Sequence, residues 1–333
     1  MNNIKKIGLS ALAGSLASFS AHAVDVTLSG EVQVVYATQE TNLNGGGASN
    51  GKGISNDQDI AVNASGELDN GFTVSSFLSL NTGAAVSNSS SHIAVGMGSM
   101  GTLMFANTFG TQANAIDDVL PKAYEEAWDG TSHTENFSDF GSQTAKGAVE
   151  YQTATYSLMG MDVSGSYAYD SSANNIAAAT SGVAAVGSSG EAVTLKVSGS
   201  GLTFGGGFED VKDYTGNEGA DISTMYLLYA NGPLSVGYQE TYDNNGAAAD
   251  IESDGYGIAY TAGDYSISYA NLEDKTKGIS ATAATVAAKM TALQASYTMG
   301  AMTLAASLYE TKNANYVTAK KYEETELSVS FAF

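Results

Sequence analysis

Sixteen short segments of this chain alternate apolar with small or polar residues, and the joins between them are tight and long by turns. The segments run roughly 24–38, 54–66, 70–82, 91–98, 101–107, 146–157, 161–170, 191–199, 202–212, 221–230, 233–243, 253–262, 264–273, 287–299, 301–312 and 320–333. Every second join is brief: Leu68-Asp69-Asn70-Gly71, Gly98-Ser99-Met100-Gly101, Met159-Gly160, Gly199-Ser200-Gly201, Asn231-Gly232, Ala262-Gly263 and Met299-Gly300. Each places glycine where a hairpin needs positive φ. The remaining joins, around 39–53, 83–90, 108–145, 171–190, 213–220, 244–252, 274–286 and 313–319, are longer and polar. Strands that alternate in this way can turn one face to lipid and the other to water. Short turns on one rim and long loops on the other complete the signature of a transmembrane β-barrel. The fold expected is therefore all-β: an antiparallel transmembrane barrel of sixteen strands, with both ends of the sheet on the short-turn rim.

Within single strands the faces separate cleanly. Leu327, Val329, Phe331 and Phe333 share the lipid side, which leaves Glu324, Glu326, Ser328 and Ser330 for the lumen. Val26, Leu28, Val32 and Val34 do the same opposite Asp25, Thr27, Glu31 and Gln33. Met302, Leu304, Ala306 and Leu308 oppose Thr303, Ala305, Ser307 and Tyr309. Beyond the first residues no stretch approaches the ~18–20 apolar residues of a spanning helix. A membrane chain without such helices must close its sheet, because open edges go unsatisfied in lipid. Sixteen strands leave room for an aqueous channel.

Residues 1–23 carry the marks of a cleaved export signal: Lys5 and Lys6, a small-residue apolar stretch from Ile7 to Phe19, and Ala21-His22-Ala23 at the cleavage site. Residues 24–333 then form a single barrel domain. With Lys5 and Lys6 removed, 11 lysines face 35 acids, a net charge of 11 − 35 = −24, and there is no arginine. Such a surface repels nucleic acid and attracts cations. Cysteine is absent, which excludes disulfides and thiolate metal sites.

One join is unlike the others. From Asn107 to Ala145 run 39 residues, a length that marks a functional or disordered segment. Phe109, Tyr124, Trp128, Phe137 and Phe140 give it anchors, and Asp117, Asp118, Glu125, Glu126, Asp129, Glu135 and Asp139 outweigh its one internal lysine, Lys122.

With its export signal, the Val24–Tyr36 opening strand, the Gly101-Thr102-Leu103-Met104-Phe105-Ala106-Asn107 strand before the long loop and the terminal Phe333, the chain resembles the general trimeric porins of Gram-negative outer membranes. The resemblance implies a third outer loop folded into the lumen, acids on that loop facing basic side chains on the wall, assembly as a homotrimer, and recognition of Phe333 by the barrel-insertion machinery. It makes 107–145 the constriction loop and Asp117, Asp118, Glu125, Glu126 and Asp129 the acidic side of the eyelet. The opposing wall departs from the pattern, since residues 53–106 hold no Lys or Arg. That wall offers His92, with Lys146 and Lys196 by parity, while Asp57, Asp59, Glu324 and Glu326 are lumen acids. An acidic eyelet raises the local cation concentration. The function expected is diffusion of small hydrophilic solutes and ions, with cations preferred, across an outer membrane of lipid and lipopolysaccharide.

Other readings stay open at this stage. A solute-specific channel would use tyrosines as a sugar-stacking track, although girdles at the membrane interfaces also need Tyr. A barrel hydrolase would need His92 or His133, but no nucleophile motif accompanies them. An adhesion or structural barrel would need an occluded lumen. No cofactor is expected; the acidic loops, or the stretch from Asp243 to Asp250, could hold calcium or another divalent cation, although the spacing fits no known loop. Gly205-Gly206-Gly207 lacks the Lys-Ser/Thr ending of a phosphate loop and suits close packing or a bend in a strand.

Overall fold

The alternating segments are strands, and their outward apolar faces are usable only if the sheet has no free edge. In a computed structural model the chain forms one antiparallel sheet whose strands pair in chain order. These are β1 (Asp25–Asn42), β2 (Ser49–Glu67), β3 (Thr73–Asn81), β4 (Ser87–Gly96), β5 (Thr102–Thr108), β6 (Ala148–Gln152), β7 (Tyr156–Leu158), β8 (Met161–Asp170), β9 (Ser189–Gly199), β10 (Leu202–Lys212), β11 (Glu218–Asn231), β12 (Leu234–Asn244), β13 (Asp250–Ala262), β14 (Tyr265–Lys277), β15 (Ala288–Met299), β16 (Met302–Lys312) and β17 (Lys321–Ala332). Pairing of β1 with both β2 and β17 closes the barrel. The structure describes residues 25–42, 49–81, 86–108, 110–129, 140–141, 144, 147–170, 189–212, 218–244, 250–277 and 286–333. Residues 1–23 with the export signal, and Phe109, His133, Glu135, Phe137, Asp139 and Lys146, lie outside these.

Both β6 and β7 pair with β8, so they are two pieces of one spanning strand and the barrel has sixteen. The alternation through 146–157 hides this break. At it, Thr153 N still donates to Gly165 O at 2.9 Å. In return Gly165 N donates to the Thr153 hydroxyl at 3.0 Å, so a side chain stands in for a ladder carbonyl. The first hairpin is also taller than its apolar residues suggest: β1 runs to Asn42 and β2 starts at Ser49. Backbone pairing continues above the lipid belt, where side chains need not be apolar.

Two turns show why glycine recurs on the short rim. Met159 (φ 54°) and Gly160 (φ 80°) give the doubly left-handed hairpin turn, and Gly232 (φ 59°) precedes Pro233 in the singly left-handed form. The seam between β1 and β17 continues to Phe333, whose N–H and C=O both bond to Gly30 at 2.9 Å. A Cβ on Gly30 would lie 2.6 Å from the Phe333 ring, which therefore covers the glycine on the lipid face. Tyr156, Tyr229, Tyr260 and Tyr265 are exposed beside the short turns, as a girdle requires.

Candidate pore constriction

A loop that leaves the sheet and enters the barrel has no strand to satisfy its backbone, so the wall must supply partners. Residues 110–129 receive them from side chains on five strands. On β6, Glu150 accepts from Gln112 N at 2.8 Å. On β12, Gln239 accepts from Val119 N at 2.9 Å and donates to Ile116 O at 3.0 Å and Asp117 O at 2.9 Å. On β14, Ser268 Oγ accepts from Ala123 N at 2.9 Å. On β15, Gln294 accepts from Ala123 N at 3.3 Å and Tyr124 N at 3.1 Å, and donates to Glu125 O at 2.6 Å. On β1, Gln33 donates to the Tyr124 hydroxyl at 2.9 Å. Each buried glutamine thus uses both ends of its amide, as a neighbouring strand would. Farther along the loop, Glu209 of β10 accepts from Gly141 N, Thr144 N and the Thr144 hydroxyl at 2.9, 2.9 and 2.7 Å. These three donors compensate the burial of its charge.

Apolar contacts back these bonds. Leu120, Ala127 and Trp128 pack with Ala270, Leu272, Met290, Ala292 and Tyr309. Ala113, Ile116 and Phe140 pack with Ala168, Ala192 and Ile222. The wall is shaped to receive them: a Cβ on Gly237 would lie 2.7 Å from Pro121 Cδ, and one on Gly207 would lie 2.5 Å from the Phe140 ring. Gly207 thus serves close packing, one of the two uses expected of that glycine run.

The acids divide into groups. Glu125 lies against Tyr124, Gln33 and Glu326, with Glu324 nearby; burial, the largest cause, pushes its carboxyl above the usual range. Burial likewise raises Asp117 to about 7, with repulsion from Glu126 and Asp118 adding to the rise. Asp129 rises to about 6 by burial and the charges of Glu126 and Glu125. Asp118 is only 8% exposed. Its Oδ1 accepts from Leu120 N at 2.9 Å, closing a turn, and burial raises it to about 6. Glu126 pairs with Lys122 at 2.6 Å. Below Tyr124 and Glu125, Glu31, Asp57 and Asp59 line a luminal cavity of about 430 Å³. Asp57 accepts two bonds from the Asn81 amide, at 3.0 and 2.9 Å. Glu324 accepts from Gln39 at 3.1 Å and Tyr322 at 2.6 Å, and Glu326 from Ser307 at 3.3 Å.

The structure brings Glu125, Glu324 and Glu326 together and sets Asp118, Glu126 and Asp129 around Lys122, with Asp117 beside Asp118 and Glu126. His92 stands apart on β4, stacked on Phe77 with ring centroids 5.4 Å apart. Lys196 faces the lumen from β9, beneath the loop. Among the described residues no group of three or more His, Asp or Glu side chains is arranged to hold a metal ion. Reading the sequence missed the four tethers Glu150, Glu209, Gln239 and Gln294, because an isolated Gln or Glu on a polar face looks like ordinary pore lining. The apolar luminal residues of β14 and β15 left a visible trace: Ala270, Leu272, Met290 and Ala292 break the expected polar face.

A sixteen-strand barrel holding an inward loop has close relatives in fold and in sequence profile. Residues 8–333 match the family profile described as Gram-negative porin. The chain belongs to the Gram-negative porin family. As a porin it is a channel across the outer membrane and not an enzyme, which removes the hydrolase reading. This porin superimposes on the anion-selective porin from Comamonas acidovorans with a TM-score of 0.65 at 15% identity, covering 93% of this chain and 100% of that one. OmpF of Salmonella typhi, in complex with daunomycin, gives 0.65 at 13%, covering 92% and 97%. A loop-deletion mutant of OmpT from Vibrio cholerae gives 0.63 at 12%, covering 93% and 100%. At these identities the likeness is one of fold. No curated protein sequence is similar enough to match this porin.

Proposed function

We propose that this porin is a water-filled general diffusion pore for small hydrophilic solutes that prefers cations, with residues 107–145 as its constriction. One observation carries the reading: the luminal surface around Tyr124 and Glu125 gathers Glu31, Asp57, Asp59, Glu324 and Glu326, and the described strands turn only Lys196 toward the lumen as a counter-charge. Asp117, Asp118, Glu126 and Asp129 extend the acidic side along the loop. The Comamonas porin of the same fold is anion-selective, so charge placement and not the barrel sets the sign. Low-dielectric walls strengthen such a field, while salt at ~0.15 M screens it over ~8 Å.

The same reading includes cleavage after Ala23, assembly as a homotrimer and lipid and lipopolysaccharide around the remaining exterior. Asn56 supports the trimer: it lies on the outward face of β2, in register with Val34. Hydrocarbon offers such an amide no partner, whereas another copy of the barrel does. Phe333, bonded into the closing seam, is the residue through which the insertion machinery would read the chain. The test is the reversal potential of the purified protein in a planar bilayer under a potassium chloride gradient. Cation selectivity in dilute salt that fades in concentrated salt is expected; anion selectivity would overturn the reading.

A further inference from the structure

The phenylalanines of the described strands follow the barrel rule with one exception. Phe105, Phe204, Phe208 and Phe331 turn outward and are exposed, as rings in a lipid belt are. Phe77 turns inward. Its neighbour Leu78 pairs with Val62, which pairs in turn with the lipid-facing Leu28, so Phe77 takes the opposite face. There it stacks on His92 of β4, with ring centroids 5.4 Å apart and planes 25° apart. His92 is inward by the same rule, since Ile93 beside it is exposed on the outside. The other stacked pair among the described residues, Tyr265 with Tyr297, lies on the exterior beside the short turns.

Packing does not account for the ring. The apolar clusters beneath the loop draw on β8, β9, β11 and β14–β16, and among the described residues neither includes Phe77. Phe77 and His92 are only half-buried, and their inward neighbours are small: Asn63 opposite Phe77, Ser75 and Ser79 along β3, and Ala94 along β4. The pair also sits at the root of the constriction loop. A Cβ on Gly110 (φ 108°) would lie 3.3 Å from His92 Nδ1, so the loop backbone closes over the imidazole and fixes it against Phe77. At 5.4 Å the stack is offset, which leaves part of each ring face uncovered by the other. Residues 53–106 hold no Lys or Arg, so β2–β5 present no fixed ammonium or guanidinium to repel a cation at this wall.

We propose that Phe77, held in place by His92, is a cation–π landing on the constriction wall that favours methylated ammonium solutes over alkali-metal ions. This rests on the cation-preferring pore reading and adds a solute class to it. The acids of the lumen concentrate cations according to charge alone. An aromatic face adds a second criterion, because a quaternary ammonium gives up little water to lie on it. For an exposed contact of this kind the gain in occupancy is about two- to fivefold.

Bi-ionic reversal potentials of the full-length protein in planar bilayers test this, with tetramethylammonium chloride on one side and potassium chloride on the other. The measurement is made at pH 8, where an ordinary imidazole, titrating near ~6.5, is neutral. The readout is the permeability ratio of the two cations in the parent protein, in Phe77→Leu and in Phe77→Tyr, with folding checked by heat-dependent gel mobility. Phe77→Met takes the place of Phe77→Leu should the leucine variant not fold. The ratio is expected to fall about twofold or more in Phe77→Leu and to hold in Phe77→Tyr. Leucine is smaller than phenylalanine, so a wider passage alone would move the ratio the other way. An unchanged or higher ratio in Phe77→Leu, or an equal fall in Phe77→Tyr, overturns the landing and leaves the pore reading standing. A parent protein that prefers chloride to potassium overturns both.

Discussion

Gln294 illustrates how much one side chain contributes here. Its amide holds Ala123, Tyr124 and Glu125 of the loop and also receives the Ser268 hydroxyl at 3.2 Å and reaches the Tyr309 hydroxyl at 3.1 Å. Removing such a side chain strands buried donors and acceptors, which costs about 1–3 kcal/mol for the groups left unpaired. Gln294→Ala should therefore release the loop tip while leaving the barrel closed. The expected result is a larger single-channel conductance and a higher solute exclusion limit, with an unchanged folded band on gels. Conductance equal to that of the parent would mean that Gln239 and Gln33 hold the tip without it.

At the scale of the loop, burial places its carboxylates in an unusual titration range. Asp117 lies at about 7 and Asp118 and Asp129 at about 6, against ~3.9 for an unfolded aspartate. Their surroundings are Glu126, Glu125 and Lys122 on the loop itself, with Glu324 and Glu326 facing Glu125 from β17. A raised folded value means that the folded loop binds protons more tightly than the unfolded chain. Ionisation therefore weakens the packed loop as pH rises through 6 to 7, and the relief is complete below the unfolded value. The pore charge follows the same titration. Cation preference in dilute salt should be full near pH 8 and fall with an inflection between 6 and 7. Reversal potentials across that range check it, and an inflection near ~4 would mean that the loop acids are fully hydrated. What the sequence disclosed at this scale was partial. Strand faces were legible because lipid and water impose a strict period of two, and the short turns because few residues tolerate positive φ. The tethers were not legible, because their partners are backbone groups 38 to 171 positions away along the chain. The interruption between β6 and β7 was hidden for a related reason: a threonine hydroxyl repairs the ladder without any proline or glycine to mark it.

At the scale of the whole molecule, closure depends on the β1–β17 seam. Phe333 contributes two backbone bonds to Gly30 and a ring that covers it. Phe333→Ala keeps the backbone bonds and removes the cover, so a loss of about 1–3 kcal/mol is expected from apolar burial. Deleting Phe333 removes both contributions and should be the more damaging change. Folded fraction after refolding into detergent, read by gel mobility, should fall in the order parent, Phe333→Ala, deletion. Equal folded fractions would show that the seam is already secure through Ala332.

The seam also dictates timing. Gln33 and Ser328, hydrogen-bonded at 3.0 Å, are 295 positions apart in the chain. No local hairpin can stand in for that contact, and sheets built on remote pairing form slowly. Until β17 has been synthesised and delivered, the earlier strands can pair only with their neighbours, so the sheet keeps an open edge at β1 and one apolar face, the kind of intermediate that aggregates. The barrel therefore cannot close on itself while it is being made: the first strand synthesised waits for the last before its outer edge is satisfied.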